Sequence, residues 1–285
     1  MSKVQQLSLH QFMAFDEKTS FEFSPGINVF IGANSTGKSL VMKAIYALLK
    51  ICETAHRDQI VKDVSRVTNM AEDKFLGVFK PDRVGQLVRR ARGKSSGRIN
   101  LMYDDAQLNL TLTTQNKITL QANPLPNPVS SVFVPAHEFL STSEGFISAY
   151  TKRETAFDET YYDISLALDA LPLRGPRLDE TKKLVNPLEK AMGGKVIREK
   201  NGRFYVKLQE GKIEAPILSE GYRKIAGLIY LLINGSLTQN GILFWDEPEA
   251  NLNPDLVTVV TNVLRVLAKS GMQIFLATHD YLVSQ

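Results

Sequence analysis

Two stretches of this chain carry residues whose types and spacing could handle phosphate chemistry. The first is Gly32-Ala33-Asn34-Ser35-Thr36-Gly37-Lys38-Ser39. Its glycines permit a tight loop whose backbone N–H groups turn inward toward phosphate oxygens. Lys38 can reach the outer two phosphates of a nucleotide, and the Ser39 hydroxyl can join a magnesium shell. A helix opening at the loop would add its positive N-terminal end. The second is Ile242-Leu243-Phe244-Trp245-Asp246-Glu247-Pro248, an apolar run ending in two acids. Adjacent carboxylates at a buried strand end need a partner. Beside a phosphate loop, Asp246 is placed near the metal, directly or through water, and Glu247 near the water that it can polarise.

Two weaker features complete the set. Ala277-Thr278-His279 ends the next apolar run, 33 residues after Asp246. A histidine there can contact and sense a terminal phosphate, although a lone histidine is usually structural. Leu218-Ser219-Glu220-Gly221-Tyr222-Arg223-Lys224 opens a helix. Ser219 suits the N-cap and offers its hydroxyl and nearby N–H groups to an anion; read alone, the stretch is a capped helix.

The elements that must position these residues are legible around them. Leu7 and Leu9, then Phe21 and Phe23, alternate with polar neighbours, and Pro25-Gly26 turns the chain into the apolar run Ile27 to Ile31. Three strands are therefore expected before the phosphate loop. Leu40, Val41, Ala44, Ile45, Leu48 and Leu49 recur at helical spacing after it. Alternating runs at 99–102, 108–112 and 118–120 predict a small antiparallel sheet, and Val132 to Val134 a strand. Residues 138–193 read as polar and helical, with breaks at Pro172, Gly175 and Pro176. Asn201-Gly202 predicts a hairpin between 196–199 and 204–208. Helices are expected over 219–234 and 254–269, with Gly271 ending the latter, and a last strand over 273–277.

Composition narrows the classes. The single cysteine, Cys52, excludes an intramolecular disulfide. No apolar run of signal-peptide or membrane-spanning type occurs, so a cytoplasmic protein with no membrane partner is expected. The net charge of +4 permits a polyanionic partner without requiring one. The segment Arg83 to Arg98 carries Arg83, Arg89, Arg90, Arg92, Lys94 and Arg98 with no acid after Arg83. With Gly93, Ser95, Ser96 and Gly97 it reads as a flexible basic loop suited to the backbone of double-stranded DNA. Charge runs are usually solvated, so a solvated loop or a patch for an acidic protein partner is the blander and favoured reading.

In their order and spacing, these motifs resemble the ABC-type ATPase superfamily, in its soluble SMC-like, RecF-like and OLD-like branch. The run Asp246-Glu247-Pro248-Glu249-Ala250-Asn251-Leu252-Asn253-Pro254 is similar to that branch, Leu218-Ser219-Glu220-Gly221 to its signature loop, and His279 to its switch histidine. The resemblance implies an α/β P-loop fold: a mixed central sheet, an antiparallel β subdomain and an inserted helical arm. It implies one domain, with 1–136 and 194–285 as the nucleotide-binding lobe and about 137–193 as the arm. It implies ATP and Mg2+ as cofactors and ATP hydrolysis as the activity; OLD-like proteins often carry a C-terminal nuclease domain, and none is expected here. The implied site is Gly32 to Ser39 around the phosphates, Ser39 and Asp246 on the metal, and Lys38, Glu247 and His279 in catalysis. Two copies would stack head to tail, with Ser219 and Gly221 of one closing over ATP held by the other. The glutamine usual in that family where the first lobe meets the helical arm is absent from Phe133-Val134-Pro135-Ala136-His137-Glu138-Phe139, where His137 or Glu138 could stand in.

The function expected is an ATP-driven switch that controls an effector such as a nuclease or toxin, in bacterial anti-phage defence. The alternatives are a RecF-like DNA repair ATPase and a transporter subunit. Against the latter stand the missing glutamine and the Asn251-Leu252-Asn253-Pro254 loop. A P-loop kinase would need neither His279 nor the Ser219 loop.

Overall fold

The computed structural model describes residues 3–89, 93–122, 124–238 and 240–279. Its centre is a parallel sheet of β3 (Ile27–Ile31), β12 (Gln273–Thr278), β11 (Ile242–Asp246) and β7 (Ser131–Val134), hydrogen-bonded in that order. β11 and β12 are apolar along nearly their whole length because both faces are covered. Ile242 and Phe244 face α1 (Lys38–Arg57), while Leu243 and Trp245 face α6 (Glu220–Ile233) and α7 (Pro254–Lys269). Phe133, Phe244 and Phe275 stack across three neighbouring strands, with centroids 6.1 and 5.0 Å apart.

On its other side α1 meets an antiparallel sheet in the order β2 (Thr19–Glu22), β1 (Val4–His10), β4 (Ser96–Tyr103), β5 (Ala106–Thr113) and β6 (Ile118–Gln121). The expected small sheet is therefore larger. β1 pairs with β4, Leu9 opposite Ile99, so the N-terminal strands and the middle of the chain share one layer. This also corrects the reading of the basic segment as one loop. Ser96, Gly97 and Arg98 already belong to β4, and Val84–Leu87 forms a 3-10 turn. Arg89 donates to the Ala14 carbonyl (2.8 Å) and pairs with Asp16 (3.4 Å). Arg90 and Arg92 lie outside the described residues.

Between β7 and β8 run α3 (Phe146–Thr151), α4 (Glu159–Asp169) and α5 (Pro176–Met192). The breaks anticipated at Pro172 to Pro176 separate α4 from α5. β8 (Lys195–Arg198), β9 (Phe204–Lys207) and β10 (Lys212–Glu214) form a second small sheet, its first turn carried by Gly202 at φ 85°. α4 packs on α2 (Val64–Phe79) and is tied to α1: Lys43 pairs with Asp158 (2.6 Å), and the Tyr46 hydroxyl donates to Asp163 (2.7 Å). Among the described residues no helix is long and apolar enough to cross a membrane.

Candidate functional site

The parallel strands set out the site because their C-terminal ends lie side by side. β3 runs straight into the loop 32–37, and α1 opens at Lys38. Ser35 (φ 64°) and Gly37 (φ 96°) take left-handed conformations, which turn the loop over the helix end. Gly37 has a second reason: a Cβ there would lie 2.9 Å from the Phe15 ring. The Thr36 hydroxyl donates to the Ala33 carbonyl (2.9 Å) and fixes the loop internally. Lys38 Nζ donates to the carbonyls of Gly32 (2.8 Å) and Ala33 (2.9 Å), so its ammonium lies under the concavity where phosphate would sit. Ala33 to Thr36 are exposed.

Asp246 ends β11, two strands from β3. Its carboxylate accepts a hydrogen bond from Ser39, the second residue of α1. Burial pushes the Asp246 carboxyl above its ordinary range and the Glu247 charge adds to this, while Ser39, Lys43 and Lys38 act in the opposite direction. A hydroxyl and a carboxylate already in contact are two hard oxygens. They suit a magnesium ion whose other positions are filled by phosphate and water. Among the described residues no group of three or more His, Cys, Asp or Glu side chains is placed to hold a metal.

Glu247 stands one residue on, at φ 49°. Its N–H donates to the Ala277 carbonyl (2.8 Å), and its carbonyl accepts from Lys224 Nζ (3.1 Å). Its carboxylate lies 3.7 Å from His279 Nδ1. Thr278 donates to Glu249 Oε1 at 2.5 Å, and Glu249 Oε2 is buried without a hydrogen-bond partner. So β12 delivers Ala277, Thr278 and His279 onto the turn after β11, where His279 Nδ1 lies within 4 Å of both Glu247 (3.7 Å) and Glu249 (3.9 Å). Glu249 and Lys224 were given no role from sequence. Glu249 lay in plain sight within Asp-Glu-Pro-Glu, but its burial comes from a strand neighbour.

Ser219 takes the N-cap position of α6 as expected, with extended backbone (φ −61°, ψ 153°). Its hydroxyl makes no capping bond, contrary to the usual Ser N-cap. It is exposed and available to an outside acceptor. Gly221, by contrast, is buried: a Cβ there would lie 2.5 Å from the Asn251 carbonyl. The structure thus brings Gly221, but not Ser219, against the turn 251–252 of its own chain. Of the two candidates for the missing glutamine, Glu138 is occupied by Arg223 (Nε–Oε1 2.6 Å) and by the Ser141 N–H (3.2 Å). His137 is exposed.

Parts of the chain match known proteins. Residues 6–71 match a family described as "AAA domain". The DNA replication and repair protein RecF of Francisella tularensis subsp. novicida is 27% identical over 124 residues, which are 42% of this chain and 33% of RecF. The matched segment thus spans about a third of that relative. The SMC head bound to the C-winged helix domain of ScpA superposes with a TM-score of 0.60 at 13% identity, covering 98% of this chain and 90% of that one. The SMC head domain from Thermotoga maritima gives 0.52 at 15% identity, covering 99% and 90%. At such identities the likeness concerns the fold alone, an α/β fold like that of SMC heads. Residues 123–284, more than half of the chain, match the family described as "AAA domain, putative AbiEii toxin, Type IV TA system", and the chain belongs to that family.

Proposed function

We propose that this chain binds and hydrolyses ATP as a switch: ATP joins two copies head to tail, hydrolysis parts them, and a partner responds to the difference. The carrying observation is the juxtaposition of the phosphate loop with the Ser39–Asp246 pair and the strained Glu247 beside His279. In this reading the loop N–H groups and Lys38 hold the β- and γ-phosphates, and Ser39 and Asp246 hold magnesium. The bound ion would neutralise charge developing on the transferred phosphoryl group. Glu247 orients and deprotonates the attacking water, and His279 contacts the γ-phosphate. The exposed Ser219 hydroxyl and the α6 N-terminus suit a phosphate on a second copy better than one in the same chain.

The partner favoured is an effector such as a nuclease or toxin in anti-phage defence, because the family description names a toxin system. A DNA transaction is the second reading, supported by the likeness to RecF and by exposed Arg83 and Arg98. Both readings keep 1–136 and 194–285 as the nucleotide lobe and about 137–193 as the arm.

The test is ATP turnover and size measurement in magnesium. Lys38→Ala is expected to lose tight ATP binding. Glu247→Gln keeps the shape but not the basic oxygen, so it is expected to bind ATP, to hydrolyse about 10²-fold or more slowly and to accumulate as a dimer. Wild-type turnover by either variant rules the assignment out.

A further inference from the structure

The second turn of α6 carries two cations, and each is locked to a different strand exit. Arg223 pairs with Glu138 after β7. Lys224, 6% exposed, reaches the turn after β11 and donates to the Glu247 carbonyl at 3.1 Å. A lysine so deeply buried is uncommon without a specific partner. Here the charged groups facing it are Glu220 on its own helix and Glu247, Glu249 and Asp246 on the turn; burial lowers its pKa and these four carboxylates oppose that.

What Lys224 grips is a strained residue of the site. Glu247 adopts φ 49°, a left-handed conformation unfavourable for a non-glycine residue, which persists only where the surroundings enforce it. Three hydrogen bonds enforce it: Glu247 N–H to Ala277 on β12, and Ala250 N–H (3.2 Å) and Lys224 Nζ to the Glu247 carbonyl. The first fixes the N-terminal side of the residue to the sheet. On its C-terminal side the carbonyl is held both within its own turn and by Lys224, which ties it to α6. A further contact joins the same helix to the same turn, since Gly221 lies flat against the Asn251 carbonyl.

We propose that Lys224 is a positioning residue for hydrolysis, holding the Glu247 turn from α6, so that engagement of the α6 N-terminus by a second copy sets the base in its own subunit. This rests on the ATP-switch reading above and adds a direction to it. The nucleotide covered by Ser219 belongs to the other copy, whereas the base held by Lys224 belongs to the same chain. Each site would then report its closure to its neighbour through one helix turn.

The experiment uses Lys224→Met and Lys224→Arg in the full chain, with ATP affinity, turnover and ATP-dependent dimerisation measured separately. Lys224→Met is expected to keep ATP affinity within about threefold and still dimerise, while turnover falls about 10- to 100-fold. Lys224→Arg, which can still donate to the carbonyl, is expected to recover part of the rate. Mixed dimers decide the direction. Lys224→Met mixed with Lys38→Ala leaves one loaded site, whose Glu247 sits in the Lys224→Met chain, and that site is expected to be slow. Lys38→Ala and Lys224→Met combined in one chain, mixed with wild type, leaves the loaded site with an intact Lys224. It is expected to turn over like the mixture of Lys38→Ala with wild type. Wild-type turnover by Lys224→Met, or equal loss in both mixtures, overturns the proposal. Absence of ATP turnover in the wild-type chain overturns the ATP-switch reading itself.

Discussion

At the scale of single residues, Gly221 separates two reasons for one glycine. The signature-loop resemblance asks for it because a backbone must approach a phosphate. The structure adds a cause within the chain, since a Cβ would lie 2.5 Å from the Asn251 carbonyl, and a backbone atom cannot swing aside. Gly221→Ala must therefore displace α6 or the turn 251–252. The expected cost is about 1–3 kcal/mol of stability, as for other overpacked sites. If α6 and that turn act as one unit, turnover should fall further than this loss of stability alone would cause. A thermal melt beside a turnover assay checks it. Lys38, Ser39, Asp246 and Glu247 were legible in the sequence because each is fixed by its own local element, a loop or a strand end. Lys224 and Glu249 were not. A lysine on an amphipathic helix and an acid in a turn read as solvated until packing buries them.

At the scale of elements, the arm is held to the nucleotide lobe where α2 crosses α4. Gly77 lets the helices approach: a Cβ there would overlap Glu159 Oε2 at 1.7 Å. Lys74 pairs with Glu159 (2.8 Å) and Asp163 (2.7 Å) across the crossing. Burial alone would lower the Lys74 ammonium, but Asp163 and Glu159 overcome it and hold the pKa above its ordinary value. The folded value being raised, this contribution is complete at neutral pH and is lost as pH climbs through the raised value. Lys74→Met leaves two half-buried carboxylates without their cation. It is expected to cost about 1–3 kcal/mol at neutral pH, read from chemical denaturation. Melting that is unchanged at neutral pH would show that the crossing does not depend on this cluster. Most elements were readable from periodicity, since each strand and helix carries its own apolar rhythm. The pairing of β1 with β4 was not, because it joins segments some ninety residues apart. Pairing with β5, and for Arg98 with β1 as well, also turned Ser96, Gly97 and Arg98 from an expected loop into a strand.

At the scale of the whole molecule, the exposed N-cap of α6 and the phosphate loop form a complete site only between two chains in the proposed arrangement. Ser219→Arg is expected to bind ATP with wild-type affinity and to hydrolyse it about 10²-fold more slowly, its own loop intact and its contribution to the partner blocked. Mixed with Lys38→Ala, it is expected to regain at most one working site per dimer. That site has the Ser219→Arg chain's phosphate loop and the other chain's serine. Normal hydrolysis by Ser219→Arg alone, as a monomer, refutes the head-to-tail arrangement.

Trp245 is the chain's single tryptophan, fully buried in β11 directly before Asp246 and Glu247. Its Nε1 has no hydrogen-bond partner, so the indole lies in an apolar seat between the sheet and α6. Tryptophan emission from this protein is therefore emission from one ring, next to the residues that would hold magnesium and water. Any repacking of α6 against the sheet alters the surroundings of that ring. The molecule carries its own optical gauge of closure, readable in an unlabelled chain.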